Sequence, residues 1–116
     1  MTTITTLKRN SDFVRLYKRG KYHAGKYLVL YFRENGTQKN RIGITASRKY
    51  GGSVRRNRIR RLIKESYRQL EGSLKDGFDF VFVARSITDA PAGYREVSRE
   101  MRYLLNKASL YRKERS

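Results

Sequence analysis

The sequence is poor in the residues from which metal centres and acid–base sites are built. It contains no cysteine, which excludes a disulfide scaffold and a cysteine-based zinc site and fits a reducing compartment. Aspartate and glutamate together number 10 and are scattered along the chain. No HxxxH, paired-carboxylate or Ser/His/Asp arrangement occurs at local spacing, and His23 stands alone. We therefore expect neither a self-contained metal nuclease nor catalysis by the protein's own side chains.

Long apolar segments are missing as well. The longest apolar run, YLVLYF at residues 27–32, is far too short to span a bilayer. The first ten residues, MTTITTLKRN, lack the apolar core of a signal peptide. No repeat, low-complexity tract or proline-rich linker divides the 116 residues. We predict one domain over 1–116, a cytoplasmic location and no membrane partner.

Positive charge is what the sequence has in excess. Lysine and arginine number 28, and the formal net charge is +18. Self-repulsion on this scale destabilises a folded chain unless an anionic partner neutralises it, and the candidates are nucleic acid, an anionic membrane surface and an acidic protein. Nine tyrosines and five phenylalanines are interleaved with the cations. Rings among cations suit single-stranded nucleic acid, although we expect most of these rings to form the core.

The first half of the chain predicts one helix and three strands. Phe13, Leu16 and Tyr17 recur at helical spacing within NSDFVRLYKRG. Two strands follow, separated by Gly25, and the second is apolar on both faces, so both faces should be covered. The segment ENGTQKN, residues 34–40, contains Asn-Gly and predicts a hairpin turn into a third strand, RIGITAS.

The second half of the chain predicts a helix, a strand and a last helix. The segment FDFVFVAR, residues 78–85, is the strongest strand of the sequence, with its phenylalanines on one face and Val81 and Val83 on the other. An apolar stripe from Val97 to Tyr111 marks the last helix. The order α-β-β-β-α-β-α predicts an α+β fold, a two-layer sandwich of helices packed on a mixed sheet.

The helix that contains SVRRNRIRRLIKESYR, residues 53–68, is both amphipathic and strongly basic. Its apolar residues fall on one flank, which should pack on the sheet, and they are Ile59, Leu62, Ile63, Tyr67 and Leu70. Polar and basic side chains project to the other side or its borders, namely Asn57, Arg58, Arg60, Arg61, Lys64 and Arg68. From Arg48 to Arg68 there are nine cations and one acid, Glu65.

A solvated charged face is the ordinary explanation of a basic helix. Such faces usually mix both signs and gain ion pairs between residues four apart, whereas this helix forgoes nearly all of them. Arginine, with its planar fork of donors, also suits bidentate contact with phosphate. We therefore favour nucleic-acid binding over a solvated face.

With these features the sequence resembles the protein subunit of bacterial ribonuclease P. The segment RRNRIRRLIKESYR is similar to the RNR motif of that family. The flanking segments match in order, from LKRNSDFVRLYKRGK through KYLVLYF and RIGITASRKYGGSV to FDFVFVAR. The resemblance extends from about Leu7 to Tyr111, nearly the whole chain.

The resemblance implies a fold, a reaction and two partners. The fold would be ribosomal-protein-like, with a left-handed βαβ crossover through the basic helix, although general rules favour the right-handed form. The catalytic centre would belong to an RNA subunit that uses Mg²⁺ to hydrolyse a phosphodiester and remove the 5′ leader of precursor tRNA. The protein would bind this catalytic RNA and the single-stranded leader, and it would need no organic cofactor.

The resemblance also implies two groups of site residues. The basic region, facing the RNA subunit and the substrate near the cleavage point, corresponds to Arg48, Lys49, Arg56, Asn57, Arg58, Arg60, Arg61 and Lys64, with Arg68 at the end of the same ridge. The leader-binding cleft between the first helix and the sheet corresponds to Phe13, Tyr17, Tyr31, Val81 and Val83. A buried core would explain Phe13 and the valines equally well. For the two tyrosines we favour the cleft.

Three other functions compete with this hypothesis. A ribosomal or RNA-chaperone protein that only coats RNA fits the charge and the fold equally well, but it needs no aromatic groove. A DNA-binding protein with the basic helix in a major groove should read base edges, whereas the ridge suits phosphates. A metal nuclease acting alone lacks the acids.

Overall fold

The computed structural model describes residues 4–86 and 92–112. Within these residues the elements follow the predicted order α-β-β-β-α-β-α, and short 3₁₀ turns flank the second helix. The helices are α1 (Asn10–Arg19), α2 (Ser53–Leu70) and α3 (Tyr94–Lys107). The strands are β1 (Lys21–Ala24), β2 (Leu28–Glu34), β3 (Arg41–Thr45) and β4 (Phe78–Ala84).

The four strands form one mixed sheet in the order β1-β2-β4-β3. The β1–β2 and β2–β4 pairs are antiparallel, and β3 and β4 are parallel neighbours joined through α2. The α+β class and the mixed sheet are therefore confirmed. The left-handed sense of the βαβ crossover stays a prediction.

The segment 34–40 is not a hairpin between paired strands, so that prediction was wrong. The partner of β2 is β4, and β3 lies on the far side of β4. The loop closes on itself instead, because the Asn35 amide donates to the Lys39 carbonyl over 2.8 Å and accepts from the Thr37 N–H over 2.8 Å. A local turn of this kind changes the direction of the chain, but it does not determine which strand the next strand pairs with.

The main core lies between the sheet and the two helices α2 and α3. The sheet contributes alternate side chains of β2 and β4, as the period-2 pattern predicts, and all are buried: Leu28, Leu30, Phe32, Phe80 and Phe82. From α2 comes the Tyr67 ring, with its centroid 6.0 Å from that of Phe80. In this core α2 lies against β3, while α3 lies against β2 and β1.

The opposite face of the sheet is covered by α1, which packs on β2 and β4. A small second core of Leu7, Leu16 and Val81 lies beneath it. Two rows of cross-strand neighbours cross this face side by side. They are Tyr22–Tyr31–Val81–Gly43, and Ala24–Val29–Val83–Thr45.

An ion pair holds the ends of β3 and β4 in register. The Arg41 guanidinium donates to both carboxylate oxygens of the buried Asp79, over 2.8 and 2.7 Å, and the hydrogen bond to Asp79 raises the pKa of Arg41. The Asn35 amide donates to the same carboxylate over 3.0 Å. This network lies beside the start of α1, because Asp12 is 3.7 Å from Arg41.

Candidate nucleic-acid interface

The basic helix α2 is oriented as its periodicity predicts. The Ile59, Ile63 and Tyr67 side chains are each at most 1 % exposed, and Leu62 and Leu70 pack half-buried beside them. Burying a side chain of this size is worth about 1.5–3 kcal/mol, so the apolar flank fixes the rotation of the helix. The charged flank is consequently turned away from the sheet.

The predicted basic residues lie along this outward flank and the 3₁₀ turn that precedes it. Eight of the nine positions are exposed, namely Arg48, Lys49, Asn57, Arg58, Arg60, Arg61, Lys64 and Arg68. We call this set the basic ridge. Arg56 is half-buried, and its Nε is enclosed by protein. It therefore stands at the margin of the ridge.

Three arginines of the basic ridge are tethered to protein atoms. Arg58 donates to the Ala92 carbonyl over 3.0 Å, and Arg60 donates to the Ala46 carbonyl over 3.3 Å. Arg68 pairs with Glu65 over 3.4 Å across an exposed turn. Among the described residues, no carboxylate forms an ion pair with Arg61 or Lys64. Among the ridge cations on α2, these two side chains are the ones without a hydrogen bond or ion pair to the described residues.

The predicted cleft contains a cluster of tyrosines at the edge of α1. The rings of Tyr17 and Tyr31 meet edge to face with 4.9 Å between centroids, and the Tyr17 hydroxyl is 3.2 Å from the Thr45 hydroxyl. Tyr17 is 41 % exposed, although it packs between a helix and a sheet. Its ring is therefore held in place and still accessible.

The other three predicted cleft residues differ in their exposure. Val81 is 0 % exposed beneath Leu7 and Leu16, so its assignment to the ligand surface is wrong: it supports the cleft from below. Val83 and Phe13 are half-buried at the cleft surface. The Phe13 ring lies directly over Gly43, where a Cβ would stand 2.6 Å from the ring.

Sequence reasoning missed Tyr22 and Val29 as members of this surface. Tyr22 is 61 % exposed, and its ring centroid lies 5.5 Å from that of Tyr31. Val29 is the neighbour of Val83 in the sheet and is half-buried. The pairing of β1 with β2 places Tyr22 opposite Tyr31. We call the accessible part of this surface, made of Tyr17, Tyr22, Val29, Tyr31, Thr45 and Val83, the aromatic groove.

A depression lies along β3, between Phe13 of α1 and the basic ridge. It has a volume of about 400 Å³ and is mostly apolar at its base, where Phe13, Gly43 and Ile44 lie. Its rim carries Arg60, Arg61 and Lys64 of α2. A chain crossing β3 could therefore touch the Phe13 ring and these cations in succession.

The described residues were compared with the requirements of a metal site and of a membrane-spanning helix. Within residues 4–86 and 92–112, no three side chains of the His, Cys, Asp and Glu types gather into a group that could hold a metal ion. Of the three helices that the structure describes, none is both long and apolar enough to cross a bilayer.

Comparison with known proteins identifies the family. The model of the ribonuclease P family matches residues 1–109. The ribonuclease P protein component of Alkaliphilus oremlandii (strain OhILAs) is 44 % identical over 110 residues, covering 95 % of this chain and 96 % of the relative. The ribonuclease P protein component of Clostridioides difficile (strain 630) is 40 % identical over 105 residues, covering 90 % of this chain and 91 % of the relative. The chain belongs to the ribonuclease P protein family.

Solved structures of ribonuclease P proteins share the fold. The protein from Staphylococcus aureus superimposes with a TM-score of 0.84 at 27 % identity, over 95 % of this chain and all of that one. The protein from Thermotoga maritima superimposes with a TM-score of 0.79 at 32 % identity, over 88 % of this chain and 96 % of that one. Membership makes the chain a component of a ribonucleoprotein that processes tRNA, and it implies an RNA partner. The basic ridge and the aromatic groove both lie within the segment that the family model matches.

Proposed function

We propose that this chain is the protein subunit of ribonuclease P that binds the catalytic RNA through the basic ridge and the 5′ leader of precursor tRNA through the aromatic groove. The reaction assisted is the endonucleolytic removal of the leader, and the location is the cytoplasm. The observation that carries the proposal is that the two surfaces border the same strand: Thr45 of the aromatic groove ends β3, and Arg61 of the basic ridge lines a depression with Gly43 of β3.

The basic ridge supports binding to the phosphate backbone rather than to base edges. On α2 its cations run from Arg58 to Arg68, so they span about 15 Å along the helix axis. Phosphate contacts of this kind position an RNA and make its affinity fall with salt. Arg61 and Lys64, which lie near the middle of the ridge, are the side chains we assign to the closest phosphates.

The aromatic groove supports a single-stranded ligand. Tyr17 and Tyr22 both contact Tyr31, with centroid distances of 4.9 and 5.5 Å, and both remain exposed. Stacking on such rings is tolerant of sequence, because every base has a π face. Recognition of this form would not require a particular leader sequence. The Thr45 and Tyr17 hydroxyls add donors and acceptors at the same place.

In this proposal the protein performs no bond-breaking step. Hydrolysis belongs to the RNA subunit with its Mg²⁺ ions, which supply charge stabilisation and an activated water at the phosphodiester. The protein's contribution is binding energy and position: the groove holds the leader on one side of the cleavage point, while the ridge neutralises backbone charge on the other. Lower repulsion between phosphates would also let the RNA subunit and the precursor approach each other at a lower Mg²⁺ concentration.

A reconstitution tests the proposal. Precursor tRNA would be cleaved by a bacterial ribonuclease P RNA at limiting Mg²⁺, with and without this protein. We expect strong stimulation that depends on a leader of several nucleotides. RNA binding without stimulation would contradict the proposal and favour the coating protein, which requires the ridge but not the groove.

A further inference from the structure

The outward face of α3 carries a second stripe of positive charge, on the helix that packs beside α2. Arg95, Arg99, Arg102 and Asn106 are exposed and fall within about 60° of one another around the helix. The arginines lie about 6 and 4.5 Å apart along the helix axis. Tyr103 and Lys107 lie together along one side of these residues, with the Lys107 ammonium 5.9 Å from the Tyr103 ring centroid. We call these six side chains the α3 stripe.

Both acids of α3 are engaged elsewhere, so they do not neutralise the stripe. The Glu96 carboxylate accepts from the Gly93 N–H over 3.0 Å and caps the helix. The Glu100 carboxylate accepts from the N–H groups of Lys26 and Tyr27, each over 2.7 Å, and from that of Leu28. These bonds tie α3 to the β1–β2 turn. They also direct the only two carboxylates of the helix away from its arginines.

Charge and exposure on the α3 stripe resemble those of the basic ridge. In the part of the chain that the structure describes, no carboxylate forms an ion pair with Arg95, Arg99 or Arg102. Like charges three and four residues apart destabilise a helix by a few tenths of a kcal/mol per pair. The Tyr103 ring is 57 % exposed among these cations. A polyanion would relieve the repulsion and cover the ring.

The two basic surfaces lie on neighbouring helices, because α2 and α3 pack side by side on one face of the sheet. The ridge borders β3, one edge strand of the sheet, because Arg60, Arg61 and Lys64 line the depression with Gly43 and Ile44. The helix α3 lies against β2 and β1, at the other edge. The ridge and the α3 stripe therefore form two separate rows of cations, displaced toward opposite edges of the sheet.

We propose that the α3 stripe is a second RNA-binding surface, which contacts the backbone of a separate, structured segment of RNA while the ridge is occupied. The inference rests on the proposed RNA-binding role of the chain, and it adds a partner segment that the ridge and the groove do not use. Self-association through this face is disfavoured, because two copies would bring their arginines together. Partial intercalation in a membrane is disfavoured too, since Tyr103 is the one large apolar side chain of the stripe.

Two triple variants distinguish the effect of charge at the α3 stripe from the effect of the total positive charge of the protein. The triple variant Arg95→Gln, Arg99→Gln, Arg102→Gln removes three charges from the stripe. A control with Lys8→Gln, Lys18→Gln and Lys39→Gln removes three charges from other exposed positions. Binding to a bacterial ribonuclease P RNA and to a short single-stranded oligonucleotide would be measured over a range of salt concentrations.

We expect the stripe variant to lose on the order of tenfold in affinity for the structured RNA and to lower the salt slope by about 2 to 3, with the oligonucleotide affinity unchanged. The control variant should lose far less affinity for the structured RNA, and its salt slope should change far less. Equal losses in the two variants would overturn the inference. An Arg61→Ala, Lys64→Ala variant separates the two proposals: if it loses binding and the stripe variant does not, the second surface fails and the proposed function stands. If neither loses binding, the proposed function itself fails.

A cross-linking experiment locates the RNA directly. Because the chain has no cysteine, Tyr103→Cys gives a single attachment point for a photoactivatable cross-linker, and Lys39→Cys gives a matched control. We expect Tyr103→Cys to cross-link to one paired segment of the ribonuclease P RNA, in a complex that still protects the ridge contacts. Protein–protein cross-links in place of RNA cross-links would overturn the inference and mark this face as an interface between copies.

Discussion

Tyr17 on α1 and Tyr31 on β2 meet edge to face, with 4.9 Å between their ring centroids, at the open margin of the helix–sheet contact. The contact fixes the Tyr17 ring without burying it, since 41 % of the residue stays exposed. An aromatic ring that is held in place loses little entropy when a base stacks on it. The pair is therefore the centre of the proposed leader site.

Replacing Tyr17 by alanine tests this centre. We expect Tyr17→Ala to weaken the binding of a leader-bearing precursor by about 1–3 kcal/mol, because a stacking platform is lost. Tyr17→Phe keeps the ring, loses only the 3.2 Å contact with Thr45, and should retain most of the affinity. Both would be measured by titration of the reconstituted enzyme. A lower melting temperature with unchanged precursor affinity would make Tyr17 a core residue instead.

Arg61→Ala tests the basic ridge at a side chain with no partner among the described ion pairs. We expect weaker RNA binding, a salt slope lowered by about 1, and a change in unfolding free energy within about 0.5 kcal/mol. Arg58→Ala should weaken binding and also reduce stability, because Arg58 donates to the Ala92 carbonyl. Salt-dependent binding and thermal unfolding distinguish the two. An unchanged salt slope of RNA binding in both variants would rule out the ridge as the RNA-binding surface.

Gly43→Ala tests the packing of α1 on β3. A methyl group at this position would lie 2.6 Å from the Phe13 ring, so the ring and α1 must shift. We expect a loss of about 1–3 kcal/mol in the free energy of unfolding and weaker leader binding. Gly72→Ala is the matched control, since its Cβ would meet no atom within 4 Å. Denaturant unfolding measures both, and equal stability of the two variants would contradict the observed contact.

Tyr67 should make the protein less stable at alkaline pH. Burial, reinforced by the nearby Glu71 carboxylate, raises the pKa of the Tyr67 phenol from its ordinary value of 10.0. Above pH 10 the unfolded chain releases this proton while the folded chain retains it, so the free energy of unfolding falls as pH rises. Tyr67→Phe should remove part of that decline, and Tyr103→Phe, at an exposed ring, should not. Identical declines in wild type and Tyr67→Phe would contradict this.

Features set by local periodicity could be predicted from the sequence. The flank of α2 that carries Ile59 and Ile63 is buried, and the alternation of Phe80 and Val81 across β4 is observed. Both follow from the fixed angular repeat of a helix and of a strand. The exposed cations of α2 follow for the same reason, since an apolar flank leaves the opposite flank to water.

Features set by contacts between distant segments could not be predicted in this way. The Asn-Gly at residues 35–36 signals a turn, but it does not say that β4 separates β2 from β3. The burial of Val81 depends on Leu7 and Leu16, from the N-terminal segment and α1. Tyr22 joins the groove only through the register of β1 on β2. Local patterns cannot show such relationships, because they arise from pairing and packing.

The most direct test of the proposed function is the affinity of reconstituted ribonuclease P for precursor tRNA relative to mature tRNA. The measurement would compare enzyme with wild-type protein, enzyme with Tyr17→Ala and the RNA subunit alone. We predict that the wild-type protein increases the preference for the precursor and that Tyr17→Ala loses most of this increase. An equal increase for precursor and mature tRNA, unaffected by Tyr17→Ala, would contradict leader binding in the aromatic groove.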